Sequence, residues 1–300
     1  MLLEIISKVL SESLLSLYPI FVKYIHLSLG LQLWSRFFSY LFISAFFIDW
    51  KFIYKHLISL SGIALSLVTI AHVYFSYRGF QILESGIAYI IFYTYPLMIL
   101  LLAGKKITPI MFIALLGVYL LSQEKIDDKD VVSTSVTNKV DGQAPNEKDK
   151  TNIIFKKKNI QENFVYEGLI MTILAALTEA FIYFIVRDIK TPNSWNHLFL
   201  SYFFGTILLS GYFFNDILKI KVNDTLSISM VINIIIGLTG YLLRFYSATR
   251  LDTTLYASLS YIGILMAFVY GVFINGDIIT TKKIVGTICI LIPNFYLLFY

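Results

Sequence analysis

Charge is scarce in this 300-residue chain: only 14% of its residues are Asp, Glu, Lys or Arg, against 57% hydrophobic ones. A soluble core of this size needs a charged surface, so the shortage excludes an ordinary globular protein, and a mean hydropathy of +0.74 points to a lipid environment. Cysteine is nearly absent. The single Cys289 excludes a disulfide framework or thiolate metal site within one chain. Histidine is rare too, and the four present are scattered, with no paired His-Glu arrangement for a metal. The chain also lacks an aspartate-rich diphosphate site, a Gly-x-Ser-x-Gly elbow and a glycine-rich phosphate loop, so nothing suggests a cofactor or an enzyme. The net charge of +5 is spread over loop ends rather than gathered in a patch, which speaks for topology and against nucleic acid.

What is abundant is apolar runs long enough to cross about 30 Å of hydrocarbon, which takes about 20 residues of helix. Ten are expected, near 5–25, 31–48, 57–76, 83–103, 107–122, 164–186, 195–214, 228–248, 253–274 and 280–299. Short polar separators divide them, among them Asp49-Trp50-Lys51, Arg78-Gly79, Gly104-Lys105-Lys106, Thr191-Pro192-Asn193 and Asn223-Asp224. The first run carries Glu12 and has no clean small-residue cleavage site, so it is expected to be a retained helix rather than a secretion signal. Residues 123–163 break the pattern: between Glu124 and Glu162 lie eight lysines and eight acids, with little apolar surface to offset ordering entropy. The expected organisation is a five-helix unit over 1–122, a flexible charged linker over 123–163 and a second five-helix unit over 164–300.

The two units echo one another. Ser11-Glu12 is matched by Thr178-Glu179 and Lys23 by Lys190, each 167 positions on; Leu83-Glu84-Ser85 is matched by Leu251-Asp252-Thr253 and Tyr93 by Tyr261, each 168 on. Five is odd, so the units enter the membrane in opposite directions. Inverted repeats of this kind place a solute site between the halves near the bilayer midplane. The expected fold class is therefore an all-α polytopic membrane protein with ten transmembrane helices in two inverted repeats.

Ionisable groups inside such helices are the first functional candidates, because each costs about 2.5–3.5 kcal/mol to insert at the centre. Glu179 lies mid-span, with more than a turn of apolar residues on each side, and is the leading candidate for holding a proton or a substrate amine. Glu12, its repeat partner, sits nearer a helix start, where interfacial water is expected to reach it. Arg244 lies about one turn from a helix end, which favours snorkelling outward over pairing with Glu179 or a substrate carboxylate. Arg36 is expected to be an interfacial anchor, and His72 a satisfied packing group. Pro96 interrupts the fourth run and Tyr261-Ile-Gly263 its counterpart, so Tyr89, Tyr93 and Tyr261 gather where a ligand has room to stack. Gly237, Gly240 and Gly263 are expected to let helices approach closely.

Several local patterns carry a family resemblance: Tyr18-Pro-Ile-Phe-Val-Lys23, Trp34-Ser-Arg36-Phe-Phe, the stretch from Glu84-Ser-Gly to Tyr95-Pro96, Gly168-Leu-Ile with Ala175-Ala176, Asp252-Thr-Thr-Leu-Tyr, and Gly276-Asp-Ile-Ile-Thr280 ahead of Gly286. In order and spacing the chain resembles the drug/metabolite transporter superfamily, in particular its EamA-type members. The resemblance implies ten helices, cytoplasmic termini, a central cavity, and export or exchange of small metabolites. It departs where members commonly carry a glutamate after the fourth and ninth helices; here stand Lys105-Lys106 and Asp277. The last helix, with Pro293-Asn294, is similar to members that carry S-adenosylmethionine, which adds that solute to amino acids and nucleosides.

The function expected from residues and resemblance together is secondary transport of a small-molecule metabolite across a plasma or inner membrane. The lipid bilayer is its constant partner; protons as coupling ion and a homodimer remain options. A membrane-embedded enzyme and a polytopic receptor or scaffold are the alternatives. The topology is tested by single cysteines at Lys51, Asp141 and Asn223 in a Cys289→Ser background, labelled with an impermeant reagent. With a cytoplasmic amino terminus, Asp141 and Asn223 react from outside and Lys51 is protected; labelling of Lys51 and Asp141 from one side contradicts the arrangement.

Overall fold

A computed structural model describes residues 1–18, 20–21, 27–83, 85–105, 109–122, 147–219, 224–275 and 280–299, and all regular structure among them is helical. The first unit contributes α1 (Leu2–Leu15), α2 (Leu29–Ser44), α3 (Trp50–His56), α4 (Leu60–Ile82), α5 (Ser85–Phe92), α6 (Tyr95–Leu102) and α7 (Pro109–Ser122). The second contributes α8 (Glu147–Asp188), α9 (Ser194–Tyr212), α10 (Phe214–Lys219), α11 (Asp224–Ile232), α12 (Thr239–Ala248), α13 (Thr253–Ser260), α14 (Ile262–Tyr270) and α15 (Thr281–Phe299). Two π-helical turns, Asn233–Leu238 and Gly271–Asn275, follow α11 and α14. Among the described residues four stretches are long and apolar enough to cross a membrane: Leu60–Ile82, Tyr166–Asp188, Ser227–Ala248 and Thr253–Ile274.

The polar separators do more than end hydrophobic runs. Each helix leaves its first N–H groups without intrahelical partners, and near lipid these need protein acceptors. Asp49 accepts from the backbone of Lys51 and Phe52, Ser59 from Gly62, Asn193 from Trp195 and Asp252 from Thr254. At the other kind of end, Gly104 turns the chain out of α6 with φ +65°, the left-handed conformation that glycine adopts without a Cβ penalty. That turn lets the Lys105 N–H reach the Leu100 carbonyl at 3.0 Å.

Several boundaries differ from the sequence reading. Arg78-Gly79 does not end the third run; it lies inside α4, because Gly79 is where α4 and α8 touch, and a Cβ there would meet the hydroxyl and backbone of Thr172. Arg78 reaches across to Glu167, with Nε 2.8 Å from Oε1. Helix α8 starts at Glu147, inside the segment expected as linker; no proline or glycine falls between Glu147 and Glu167 to stop it. The fourth run is divided between α5 and α6 at Tyr93-Thr94, and the ninth between α13 and α14 at Tyr261, as Pro96 and the Tyr261-Ile-Gly263 stretch suggested. Lys23, His26, Glu84, Lys106, residues 123–146, Asn223 and Asp277 lie outside the described residues.

Helix α4 packs along α8, α1 along α12, α2 along α9 and α7 along α15. One end of the assembly is closed by Asp49 N–H on Asn196 Oδ1 at 2.9 Å, Asn193 Nδ2 on the Phe47 carbonyl at 2.9 Å and Arg250 on the Pro192 carbonyl at 2.9 Å. At the opposite end Trp34 Nε1 donates to Ser210 Oγ at 3.0 Å. Polarity is inverted relative to a soluble bundle: Phe42, Leu101, Ile207, Leu208, Ile235 and Phe273 face outward, while Lys8, Glu12, Gln32, Arg36, His72, Glu179 and Arg244 are buried. If Gly79 is a helix-contact point, Gly79→Val overpacks it and destabilises the chain by about 1–3 kcal/mol. A lowered melting temperature of the detergent-solubilised protein is expected, and an unchanged one contradicts the contact.

Candidate functional site

Helical spacing places Lys8, Ser11 and Glu12 on one buried face of α1, and Tyr241 and Arg244 on one buried face of α12. Ser11 Oγ donates to the Gly240 carbonyl at 2.8 Å and locks those two faces together. From the second unit α8 brings Glu179, and from the first α4 brings His72. The break between α5 and α6 turns Tyr93 and Tyr95 inward, so both hydroxyls point at Glu12.

These groups form one ionic network. The Arg244 guanidinium sits between two carboxylates: Nη2 lies 2.9 and 2.8 Å from the two oxygens of Glu12, and Nη1 lies 2.5 Å from Glu179 Oε1. Glu12 also takes Lys8 Nζ at 2.5 Å, Tyr93 at 3.0 Å and Tyr95 at 3.0 Å. On the far side Glu179 Oε2 lies 3.2 Å from His72 Nε2 and 3.4 Å from the Tyr241 hydroxyl. The His72 Nδ1 hydrogen bond to the Ala175 carbonyl, 3.0 Å, makes Nδ1 the donor. Nε2 then either accepts from Tyr241, 3.0 Å away, or carries a second proton toward Glu179. Lys8 completes the cluster 3.5 Å above the centre of the Tyr256 ring. With His72 neutral, two cations balance two anions, and each carboxylate has several donors; a buried charge cluster in a low dielectric needs both.

A second cation stands beside this network. Arg36 is surrounded by the rings of Tyr18 and Tyr241, each 4.9 Å from Cζ, and Tyr40 and Tyr77 at 5.3 and 5.6 Å. It donates to the Tyr202 hydroxyl at 3.1 Å. The Tyr18 and Tyr77 hydroxyls both turn to Asn233 Oδ1, at 2.9 and 3.3 Å, a side chain held in the π-helical turn. Arg36, His72, Tyr93, Tyr241 and Arg244 line a common cavity of about 30 Å³, room for about two waters. A metabolite enters it only if the helices move apart.

The structure gathers four of the six residues singled out in the sequence. Glu179 is buried mid-helix as expected. Glu12 does not reach interfacial water; it is fully buried, because the turn after Leu15 leaves it near that helix's inner end, facing α12. Arg244 does not snorkel, since two carboxylates hold it from inside. Tyr93 serves through its hydroxyl, while Tyr89 donates to the Leu15 carbonyl at 2.8 Å and stacks on Tyr93 with ring centres 5.4 Å apart. Tyr261 is buried, but its hydroxyl has no hydrogen-bond partner among the described residues, so it is not part of the network. Arg36 is no interfacial anchor; five tyrosines draw it inward. His72 is satisfied as expected, yet also touches Glu179. Lys8, Tyr95 and Tyr241 complete the network without having been candidates; for Lys8 the i,i+4 spacing to Glu12 within an apolar run was the available signal.

Removing the shared cation tests this geometry. Arg244→Met leaves a net negative charge buried and is expected to cost about 3–5 kcal/mol. Adding Glu179→Gln restores the balance, because Glu12 keeps Lys8, and returns part of the stability. A single variant that melts like the wild type, or a double variant no better than the single, contradicts the network.

Comparison with known proteins agrees with the helical, inside-out architecture. A family model described as the EamA-like transporter family matches residues 167–298. No curated protein matches the chain. A solved structure described only as a crystal structure of protein is similar with a TM-score of 0.61, over 97% of this chain and 94% of that one, at 13% identity, a likeness of fold. Residues 167–298 thus match the EamA-like transporter family, part of the drug/metabolite transporter superfamily, and the helices long enough to cross a membrane make the chain an integral, multi-pass membrane protein.

Proposed function

We propose that this protein is a secondary transporter that moves a small organic metabolite, of the amino acid, nucleoside or S-adenosylmethionine-like kind, across a plasma or inner membrane by alternating access. In this reading ten spans form two inverted five-helix repeats, over 1–122 and 164–300, joined through 123–163. The observation that carries it is that Glu12 and Glu179, which occupy the same place in the two repeats, converge on one guanidinium, that of Arg244.

Further contacts support the repeat. Ser11 meets Gly240, and Thr178 Oγ1 lies 3.4 Å from His72 Nδ1; the offset that takes 11 to 178 also takes 72 to 240, within one residue. The helix breaks at Tyr93 and Tyr261 stand in the same relation. Packing follows suit, since α1 on α12 is the counterpart of α8 on α4.

Alternating access needs an element with two arrangements of similar free energy. Arg244 supplies one, because each glutamate has a second partner within its reach. Glu12 keeps Lys8, Tyr93 and Tyr95 if Arg244 leaves it, and Glu179 keeps Tyr241 and a protonated His72. Helix α12 can therefore release one carboxylate without stranding it, and release of Glu179 is balanced by a proton on His72 or on the carboxylate itself. A solute that enters between the halves competes for the same groups.

Uptake into proteoliposomes tests the reading, with radiolabelled amino acids, nucleosides and S-adenosylmethionine as probes. Glu179→Gln keeps volume and hydrogen bonding but removes the exchangeable charge, so uptake should fall at least tenfold, about 1.4 kcal/mol of barrier, while insertion is normal. Normal transport by this variant from pH 5 to 8 contradicts the role given to the carboxylate.

A further inference from the structure

The transport reading leaves one buried charge without a function. Arg36 is only 2% exposed, and no carboxylate of the described residues lies within ion-pair distance of it. The neighbouring network is balanced within itself: Lys8 and Arg244 answer Glu12 and Glu179. Arg36 therefore adds an uncompensated positive charge at the centre of a membrane protein. Ring faces offset part of the cost, by about 0.5–2 kcal/mol for a favourable desolvated contact. Of the surrounding tyrosines, Tyr202 offers its oxygen to the guanidinium, while Tyr18 and Tyr77 commit their hydroxyl protons to Asn233. The Arg36 Nε–H has no hydrogen-bond partner among the described residues, and neither has that of Arg244. Both guanidiniums line the same cavity.

We infer that the transported solute carries a carboxylate, and that Arg36 is the residue that takes it. The inference rests on the transport reading and specifies its substrate class. An unpaired, buried arginine with a free N–H beside a cavity is a site prepared for an anionic oxygen, since the planar guanidinium fork matches a carboxylate with two parallel N–H···O bonds. One carboxylate group answers the Arg36 charge locally, whereas a phosphate dianion would bring a second negative charge to the same group. The tyrosine rings close the site against water and hold the guanidinium without consuming its charge, and the rest of the solute packs against Tyr93 and Tyr241. Because the cavity has room for only about two waters, the carboxylate reaches Arg36 when the helices around it part.

A binding readout tests this independently of transport. The purified full-length chain in detergent is melted in the presence of sodium lactate, L-alanine, lactamide, L-alaninamide, inorganic phosphate and chloride. Lactate or L-alanine is expected to raise the melting temperature saturably, and the amides, which lack the carboxylate, to have no effect. Arg36→Gln should lose at least tenfold in apparent affinity. Should Arg36→Gln give no cooperative melt, Arg36→Lys carries the test: it keeps the charge but not the fork, and should also weaken lactate or L-alanine binding at least tenfold. Stabilisation by the amides as strong as by the acids overturns the inference. So does a response that phosphate or chloride reproduces, an undiminished response in either variant, or no response to either carboxylate. In those cases the Glu179→Gln uptake test still stands, because neutral or cationic solutes would satisfy it.

Discussion

The arrangement of this molecule depends on one guanidinium shared by two carboxylates. Arg244 comes from the second unit, Glu12 from the first and Glu179 from the second, so the pair of ion bridges joins α1, α8 and α12 in the lipid-embedded interior. In such a medium hydrophobic burial does not distinguish helix from helix, because lipid is as apolar as leucine. Position is then set by polar contacts, and these helices have a dense set. The serine on α1 bound to the Gly240 carbonyl, the histidine on α4 bound to the Ala175 carbonyl and the tyrosines at the α5–α6 break all aim at the same few ångströms. Loss of the guanidinium leaves one negative charge in excess among buried groups, which is why the rest of the core is sensitive to it.

In the proposed transport cycle the network is also the place where the structure changes. Each carboxylate has donors from its own unit as well as the shared one, so the shared bond is the one that can break without leaving a bare charge. The neighbouring chamber differs in kind: its cation is held by ring faces and one phenol oxygen rather than by carboxylates. Under the proposed function the balanced cluster is the moving part and the unbalanced one the receiving part, separated by Tyr241, which touches Glu179, His72 and the face of Arg36.

Much of this was legible in the sequence, for identifiable reasons. Membrane embedding follows from composition, and the positions of Glu12 and Glu179 follow from an offset that survives in Ser11-Glu12 and Thr178-Glu179. The helix breaks follow from Pro96 and from Tyr261 with Gly263. What failed were judgements of depth. Glu12, Arg36 and Arg244 stand close to helix ends in sequence, and proximity to an end resembles proximity to water. Here the helices are short or broken, so those ends lie inside the protein. A lysine early in a chain has the look of a flank, although the spacing of Lys8 to Glu12 puts both on one face. Tyr241 and Tyr202 carry no local signal: their importance lies in what distant helices bring against them. The Arg78-Gly79 pair looked like a turn because the sequence does not show that Thr172 needs the space.

The central claim is that Glu12 and Glu179 act on the same cation, and a double-mutant cycle tests it most directly. The free energy of unfolding in mixed micelles is measured for the wild type, Glu12→Gln, Glu179→Gln and the double variant. If both carboxylates share Arg244, each single variant leaves it one partner and only the double leaves it none, so the double variant loses more stability than the sum of the singles, by at least about 1 kcal/mol. Agreement with the sum within about 0.5 kcal/mol, the behaviour of independent sites, contradicts it.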